Sequence, residues 1–431
     1  MHTNPLLASD RFVADYLIET IADPQRICEQ MAGEQSTSTS TRVQGETDAL
    51  VRAHGAHVEH IELLDRADAI SLPTHEYRGQ PVQRARVRLS WPMKNVGSSL
   101  PMLQTTLLGN QVGMSGLTGI RLEHLQVPDS LVKASARPAF GIAGTRRLAG
   151  VYGRPLIGTI VKPNIGLSPE QTAEVVRQLI EGGIDFIKDD ELIASPPYSP
   201  LAKRVECVMR VVNEAAERTG RKVMVACNIT GDVDEMRAHH DVVVAHGGTC
   251  AMVNLNAAGI AGIVALRRHS AVALHGHRAG WAMLTRCPAL GMNFQPYQLL
   301  HRLAGIDQLH VSGLGGKFWE ESTSIVESAR ECLTQIDQAD GANDDRAMPV
   351  FSGGSTVFEA QPTFDAIGTA DIIFAAGGAV LGHPGGIGAG VVSLREAWAA
   401  AMAGVSLDEQ SSRSPELAQA MHNWAARRRA A

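Results

Sequence analysis

The stretch GGIDFIKDDELI, residues 182–193, sets a lysine and three acids in four consecutive positions, with strand-like apolar residues on both sides. Residues two apart in a strand share a face. Lys188 and Asp190 therefore point one way and Asp189 the other, while Glu191 stands where the strand ends and can turn back. A solvated turn after a strand would carry such acids with no function at all. A cation site would use them, because two carboxylates are oxygen ligands for a hard cation such as magnesium. A lysine ammonium ligates nothing. Carbon dioxide can remove its charge by forming a carbamate, which is then an oxygen donor like a third carboxylate.

The rest of the chain decides between the two readings. From about Ala139 onward, short apolar runs alternate with helical stretches. The runs are LIGTIVK, FIKDD, VMVACNIT, AMVNLN, VALHGH, QLHVSG, MPVFSG and DIIFAAG. One helix opens on Ser168, with Pro169 in its first turn and Gln171 completing a capping box. Another, after Ser199-Pro200, gathers Val205, Val208, Met209, Val212, Ala215 and Ala216 on one face and stops at Gly220. Eight such cycles match a (β/α)8 barrel better than a doubly wound open sheet. In a barrel the chemistry belongs at the C-terminal strand ends. Polar groups or glycine turns lie there: Lys162, Lys188, Asp190 and Glu191, His277 and Arg278, His310, Ser352-Gly353-Gly354, and Gly377-Gly378. That recurrence favours the cation site over the solvated turn.

The remaining sequence sets bounds. The chain has 431 residues, room for more than one domain, and a net charge of −6, which favours neither nucleic acid nor an anionic membrane. Six cysteines without CxxC spacing fit a reducing, cytoplasmic setting, not a disulfide framework or a zinc site. The opening MHTNPLLASDRF has no basic region followed by an apolar one, so no signal peptide is expected. IIFAAGGAVLGHPGGIGAGVVSL (372–394) lacks charge over a membrane-spanning length, but its glycines point to a buried strand, a glycine loop and a helix start. Residues 1–138 read as an α+β domain with strands at VEHIELLD, QRARVRLSWP and LPMLQTTLLG, and STSTSTRV (36–43) as a loop. The barrel spans 139–405, and 406–431 reads as a helical tail whose RRR at 427–429 is a solvated end. His239, His240 and His246 lie between strand runs, without acidic or glycine-loop company, and read as structural.

GTIVKPNIGLS together with GGIDFIKDDE resembles the first two barrel strands of RuBisCO, the ribulose-bisphosphate carboxylase large chain. The likeness runs along nearly the whole chain. GEQSTSTST (33–41) and GNQVGMSGLTGIRLEHLQVP (109–128) resemble its first domain, which is ferredoxin-like, and HGHRAG, LHVSGLGGK, PVFSGG and LGHPGG resemble successive barrel segments. The resemblance implies a carbamate on Lys188, with Asp190 and Glu191 as the other magnesium ligands. It implies that Lys162 moves protons on the substrate, that His277 lies near the reacting carbons, and that Arg278 and His310 contact one substrate phosphate. Lys317 matches the lysine of a closing loop, and Ser352 a contact to a substrate hydroxyl. Gly353, Gly354, Gly377, Gly378 and Thr39 fall in phosphate- or substrate-binding motifs. Glu34 and Asn110 match residues that reach the neighbouring subunit's site, which implies a homodimer with shared sites.

The departures matter as much. Asn164 replaces a second lysine, Ser40 a tryptophan, and FAAGGAVLGHP a shorter glycine loop. Two of these changes fall on one phosphate site while Arg278 and His310 stay, so the resemblance narrows to the non-carboxylating RuBisCO-like branch (form IV) and to a sugar monophosphate. The reaction expected passes through an enediolate beside magnesium. Decarboxylation of a 3-oxo acid sugar phosphate, such as 3-oxo-isoapionate 4-phosphate, is favoured because it reverses a carboxylation. Enolisation or isomerisation of a methylthio-sugar phosphate comes next, then true carboxylation, then a sugar-phosphate-binding protein without catalysis.

Overall fold

The computed structural model describes residues 10–38, 43–337 and 344–430. Its strands are β1 (Arg11–Thr20), β2 (His57–Ala67), β3 (Val82–Pro92), β4 (Leu117–Gln126), β5 (Leu156–Ile160), β6 (Phe186–Lys188) and β7 (Met224–Asn228). They continue with β8 (Cys250–Asn254), β9 (Ala273–His277), β10 (Leu290–Met292), β11 (Gln308–His310), β12 (Met348–Phe351) and β13 (Ile373–Ala375). The chain divides into two compact units. One takes the residues up to Arg137 together with Gly280–Ala304, and the other begins at Pro138 and resumes at Gly305.

The first unit holds a five-stranded sheet in the order β10-β4-β1-β3-β2. β1 alternates, and Phe12, Ala14, Tyr16 and Ile18 are its buried face. Of the three stretches read as strands, two are β2 and β3. The third, LPMLQTTLLG, is a helix, Leu100–Leu108. Ser99 caps it by accepting from the Met102 N–H, a proline sits in its first turn, and Leu100, Leu103 and Leu107 bury at helical spacing. β1 and β4 were not among the expected strands. The segment Gly280–Ala304, which in sequence lies between two barrel strands, also groups with this unit. β10 pairs in parallel with β4. Arg121 fastens the segment by donating to the carbonyls of Thr285, Cys287, Leu290 and Met292 and to Asn293 Oδ1.

The second unit is a closed parallel barrel in the order β5-β6-β7-β8-β9-β11-β12-β13. Its eight strands are the eight apolar runs. The helix Pro169–Glu181 carries the Ser168–Gln171 capping box, and the helix Leu201–Thr219 ends at Gly220 with φ 72°. Successive inward residues fill the barrel: Phe186, Met224, Cys250, Ala273, Met348 and Ile373 form a buried apolar floor. Beneath it, Asp307 is fully buried and staples the start of β9 to the chain before β11. It accepts from the Phe140, Gly141 and Leu274 N–H groups at 2.6, 3.1 and 2.8 Å and pairs with Arg267 at 3.1 Å. The uncharged 372–394 stretch becomes β13, a short helix Gly377–Leu381 and the start of the helix Ile387–Ala403. Among the described residues, no helix is long and apolar enough to cross a membrane. The helix Pro415–Ala430 groups with this unit.

Candidate active site

The alternation read from GGIDFIKDDELI holds at the end of β6. Asp189 faces outward, accepts from the Asn228 N–H at 3.0 Å and pairs with buried Arg204 at 3.2 Å. Lys188 and Asp190 face inward and are each 1% exposed. The Lys188 ammonium donates to the Asp189 carbonyl at 2.8 Å and lies 3.6 Å from Glu191 Oε2. Burial pulls its pKa down to about 8, against the opposing pull of Glu191 and Asp190. Lys162, just past β5, sits 2.6 Å from Asp190 Oδ2 and donates to Asn164 Oδ1 at 2.8 Å. Asn164 thus holds the amine of Lys162 with a neutral acceptor.

Two asparagines that the sequence reading passed over shape this turn. The Asn228 amide donates to the carbonyls of Asp190 and Glu191, and the Asn254 amide to that of Glu191. Both stand at inward positions of their strands, so the period-2 rule that placed Lys188 could also have found them. Asn254 Oδ1 and His277 Nδ1 are buried without a hydrogen-bond partner. Two carboxylates, a poorly solvated lysine and two orphaned polar atoms form a donor set that fits a hard divalent cation once Lys188 carries a carbamate.

His277, at the end of β9, reaches Glu191 at 3.6 Å, and its ring centroid lies 4.4 Å from that of His310 with the planes inclined at 60°. Burial holds both rings well below the usual histidine pKa, so they are neutral at pH 7. Both nitrogens of His310 are occupied: Nδ1 lies 2.9 Å from Ser352 Oγ, and Nε2 lies 2.8 Å from Nε2 of His275, a residue the sequence reading did not single out. Arg278 pairs with Glu320 at 2.7 Å, with both side chains under a tenth exposed. The two expected phosphate contacts therefore have protein partners here.

Gly353 and Gly354 adopt φ of 103° and 105°, where a side chain would be strained. The Gly353 carbonyl accepts from the Lys317 N–H at 3.0 Å, and a β-carbon on Gly353 would lie 2.5 Å from the Phe318 ring. Lys317 itself is exposed, its ammonium 5.2 Å from the Phe318 ring centroid. Gly377 bares its backbone toward Lys162: a β-carbon there would meet Lys162 Cε at 3.4 Å. Gly378 opens on empty space. Glu34 and Asn110 lie in the first unit and join by an Asn110-to-Glu34 hydrogen bond of 3.2 Å. Thr39 and Ser40 lie outside the described residues. Elsewhere, ligand atoms of His240, Asp241 and His269 lie within 4.8 Å of one another. His240 Nε2 accepts from the Ala271 N–H at 3.0 Å, so its Nδ1 carries a proton and donates to Asp241. That cluster is satisfied by its own hydrogen bonds and is no ligand set.

The description of a ribulose bisphosphate carboxylase large chain catalytic domain matches residues 141–424, and that of its N-terminal domain matches 8–131. The chain belongs to the RuBisCO large-chain family. Over 96% of its length it is 64% identical to an uncharacterized ribulose bisphosphate carboxylase-like protein of Bordetella bronchiseptica, covering 98% of that protein. It is 52% identical to a 3-oxo-isoapionate-4-phosphate transcarboxylase/hydrolase of Xanthobacter autotrophicus (96% of this chain, 100% of that one). It is 42% identical to a 3-oxo-isoapionate-4-phosphate decarboxylase of Rhizobium etli (94% and 96%). Among solved structures, a rubisco-like protein from Burkholderia fungorum superposes with a TM-score of 0.90 at 45% identity, over 96% of this chain and 100% of that one. The chain thus sits in the RuBisCO-like branch, with the two-domain sheet-and-barrel fold of the family.

Proposed function

We propose that this RuBisCO-like chain acts on 3-oxo-isoapionate 4-phosphate, or a close 3-oxo acid sugar monophosphate, by breaking the bond to its carboxylate. The observation that carries the reading is the inward cluster at β5 and β6: Lys162 at 2.6 Å from Asp190, beside a buried Lys188 flanked by Glu191. The names of the relatives at 52% and 42% identity give the substrate. Magnesium, held by Asp190, Glu191 and a carbamate on Lys188, would supply positive charge beside the substrate's oxygens.

The chain's own groups do the rest. When the carbon–carboxylate bond breaks, its electron pair passes into the adjacent carbonyl and leaves an enediolate. Lys162 holds the proton that the carbon then takes up. His277, neutral and partly shielded from water, offers a hydrogen bond near the same carbons. Arg278 takes the phosphate in exchange for Glu320 and fixes the register. Lys317, on a loop with glycines at 313, 315 and 316, closes toward the departing carboxylate. Glu34 and Asn110, already joined to each other, complete the site of a second copy in a homodimer.

The two relatives' names separate two fates for the carboxyl group, release as carbon dioxide or transfer before hydrolysis. The experiment uses substrate labelled with carbon-13 at the carboxyl, in D₂O, after incubation with magnesium and bicarbonate. Label appearing as bicarbonate, with deuterium in the product, means decarboxylation. Label in a new carboxylate means transfer. An intact substrate, with turnover of methylthioribulose 1-phosphate instead, would overturn the reading in favour of the methylthio-sugar chemistry.

A further inference from the structure

Four buried side chains make one hydrogen-bonded line across the barrel: Gln308, His275, His310 and Ser352. Its direction can be read from one end. Gln308 Nε2 lies 3.2 Å from the Met224 sulfur and 3.3 Å from Thr145 Oγ1. A thioether sulfur only accepts, so the end of the amide facing Met224 is the NH₂. The Gln308 oxygen is then the atom 2.9 Å from His275 Nδ1. An amide oxygen only accepts, so His275 carries its hydrogen on Nδ1 and its lone pair on Nε2. Facing that lone pair at 2.8 Å, His310 Nε2 must carry the hydrogen. The lone pair of His310 is therefore on Nδ1, and it takes the hydroxyl hydrogen of Ser352 at 2.9 Å.

We propose that Gln308 and His275 are positioning residues that turn Ser352 into an obligate acceptor, so that the site selects a substrate hydroxyl at Ser352 and rejects an anionic oxygen there. The rings are neutral, as the line requires: burial lowers the pKa of His275 to about 3 and that of His310 well below the ordinary value. With its hydrogen committed to His275, His310 has no N–H left for a phosphate. The phosphate then depends on Arg278. The specificity rests on the reading that Ser352 faces the substrate; the hydrogen order does not.

Two measurements test this on the full-length protein. With histidines labelled with nitrogen-15, long-range proton–nitrogen correlation, assigned with the His275→Gln and His310→Gln variants, should show His275 protonated at Nδ1 and His310 at Nε2. The reverse tautomers, or an imidazolium at either, would overturn the proposal. In kinetics with 3-oxo-isoapionate 4-phosphate, Ser352→Ala and Gln308→Met should each lower kcat/KM about tenfold, mostly through KM. The double variant should be no worse than Ser352→Ala, because Gln308 acts through Ser352. Losses that multiply to about a hundredfold would refute the coupling. Should Gln308→Met fail to fold, the tautomers of the unaltered protein still decide the hydrogen order. Correct tautomers without turnover of this substrate would count against the proposed function and leave the hydrogen-bonded line standing.

Discussion

Glu320 occupies the guanidinium that the proposed substrate needs. Its Oε2 lies 2.7 Å from Arg278 Nη2, and the side chains are 5% and 8% exposed, so this ion pair is shielded from water and salt. A phosphate arriving at Arg278 must displace that carboxylate or share the fork with it against like-charge repulsion. Glu320→Gln keeps the shape and one hydrogen bond but removes the charge. A charge-assisted hydrogen bond is about twice as strong as a neutral one, so vacating Arg278 becomes easier by about 1–2 kcal/mol. That corresponds to a KM about 5- to 30-fold lower for the phosphorylated substrate. Steady-state kinetics would read the KM, and calorimetry with inorganic phosphate would read the same preference without turnover. The unliganded variant should also melt at a lower temperature, having lost a buried pair. An unchanged or higher KM, with kcat intact, would show that Glu320 stays on Arg278 during turnover and that the phosphate is held elsewhere.

Carbon dioxide adds only to a neutral amine. With a pKa of about 8, Lys188 should therefore activate faster with rising pH, levelling off above about pH 8. Activation by magnesium and bicarbonate, followed over pH 6.5–9, checks this, and an ordinary lysine would still be climbing at the top of that range. Lys188→Ala should abolish magnesium-dependent turnover. Asp307→Ala removes a fully buried carboxylate and strands Arg267 with three backbone N–H groups, so it should destabilise by about 3–5 kcal/mol in urea unfolding. Gly353→Ala forces a β-carbon to within 2.5 Å of the Phe318 ring at a φ of 103°, displacing the loop that carries Lys317. Its kcat should fall more than its melting temperature. Mixing Glu34→Ala and Lys162→Ala subunits, each inactive alone, should restore activity, since a mixed dimer has one site with both residues intact; no recovery after confirmed subunit exchange would argue against shared sites.

The elements legible in the sequence are those whose signals are local. A strand period of two sufficed to aim Lys188 and Asp190 inward and Asp189 outward. Ser168, Pro169 and Gln171 mark a helix start with no reference to anything distant. The same period could have drawn His275 from His277, and Gln308 from His310. LPMLQTTLLG misleads because its leucines and two β-branched threonines suit a strand, while the features that make it a helix are the cap at Ser99 and a buried face at Leu100, Leu103 and Leu107. Nothing in Gly280–Ala304 announces that it leaves the barrel strands to join another sheet, because its partner, β4, lies far back in the chain.

By itself, then, the sequence determined the order of the barrel strands, their periodicity and the chemical groups at the strand ends, each of which depends on residues a few positions apart. Only the tertiary structure decided the partners. Closure of the barrel brings Lys162 to Asp190, Arg278 to Glu320, and His310 between His275 and Ser352. Whether a buried histidine donates or accepts, and whether an arginine is free for a phosphate, depends on which side chain faces it across the barrel. Strand register and closure set that neighbour, and neither is encoded in local propensity.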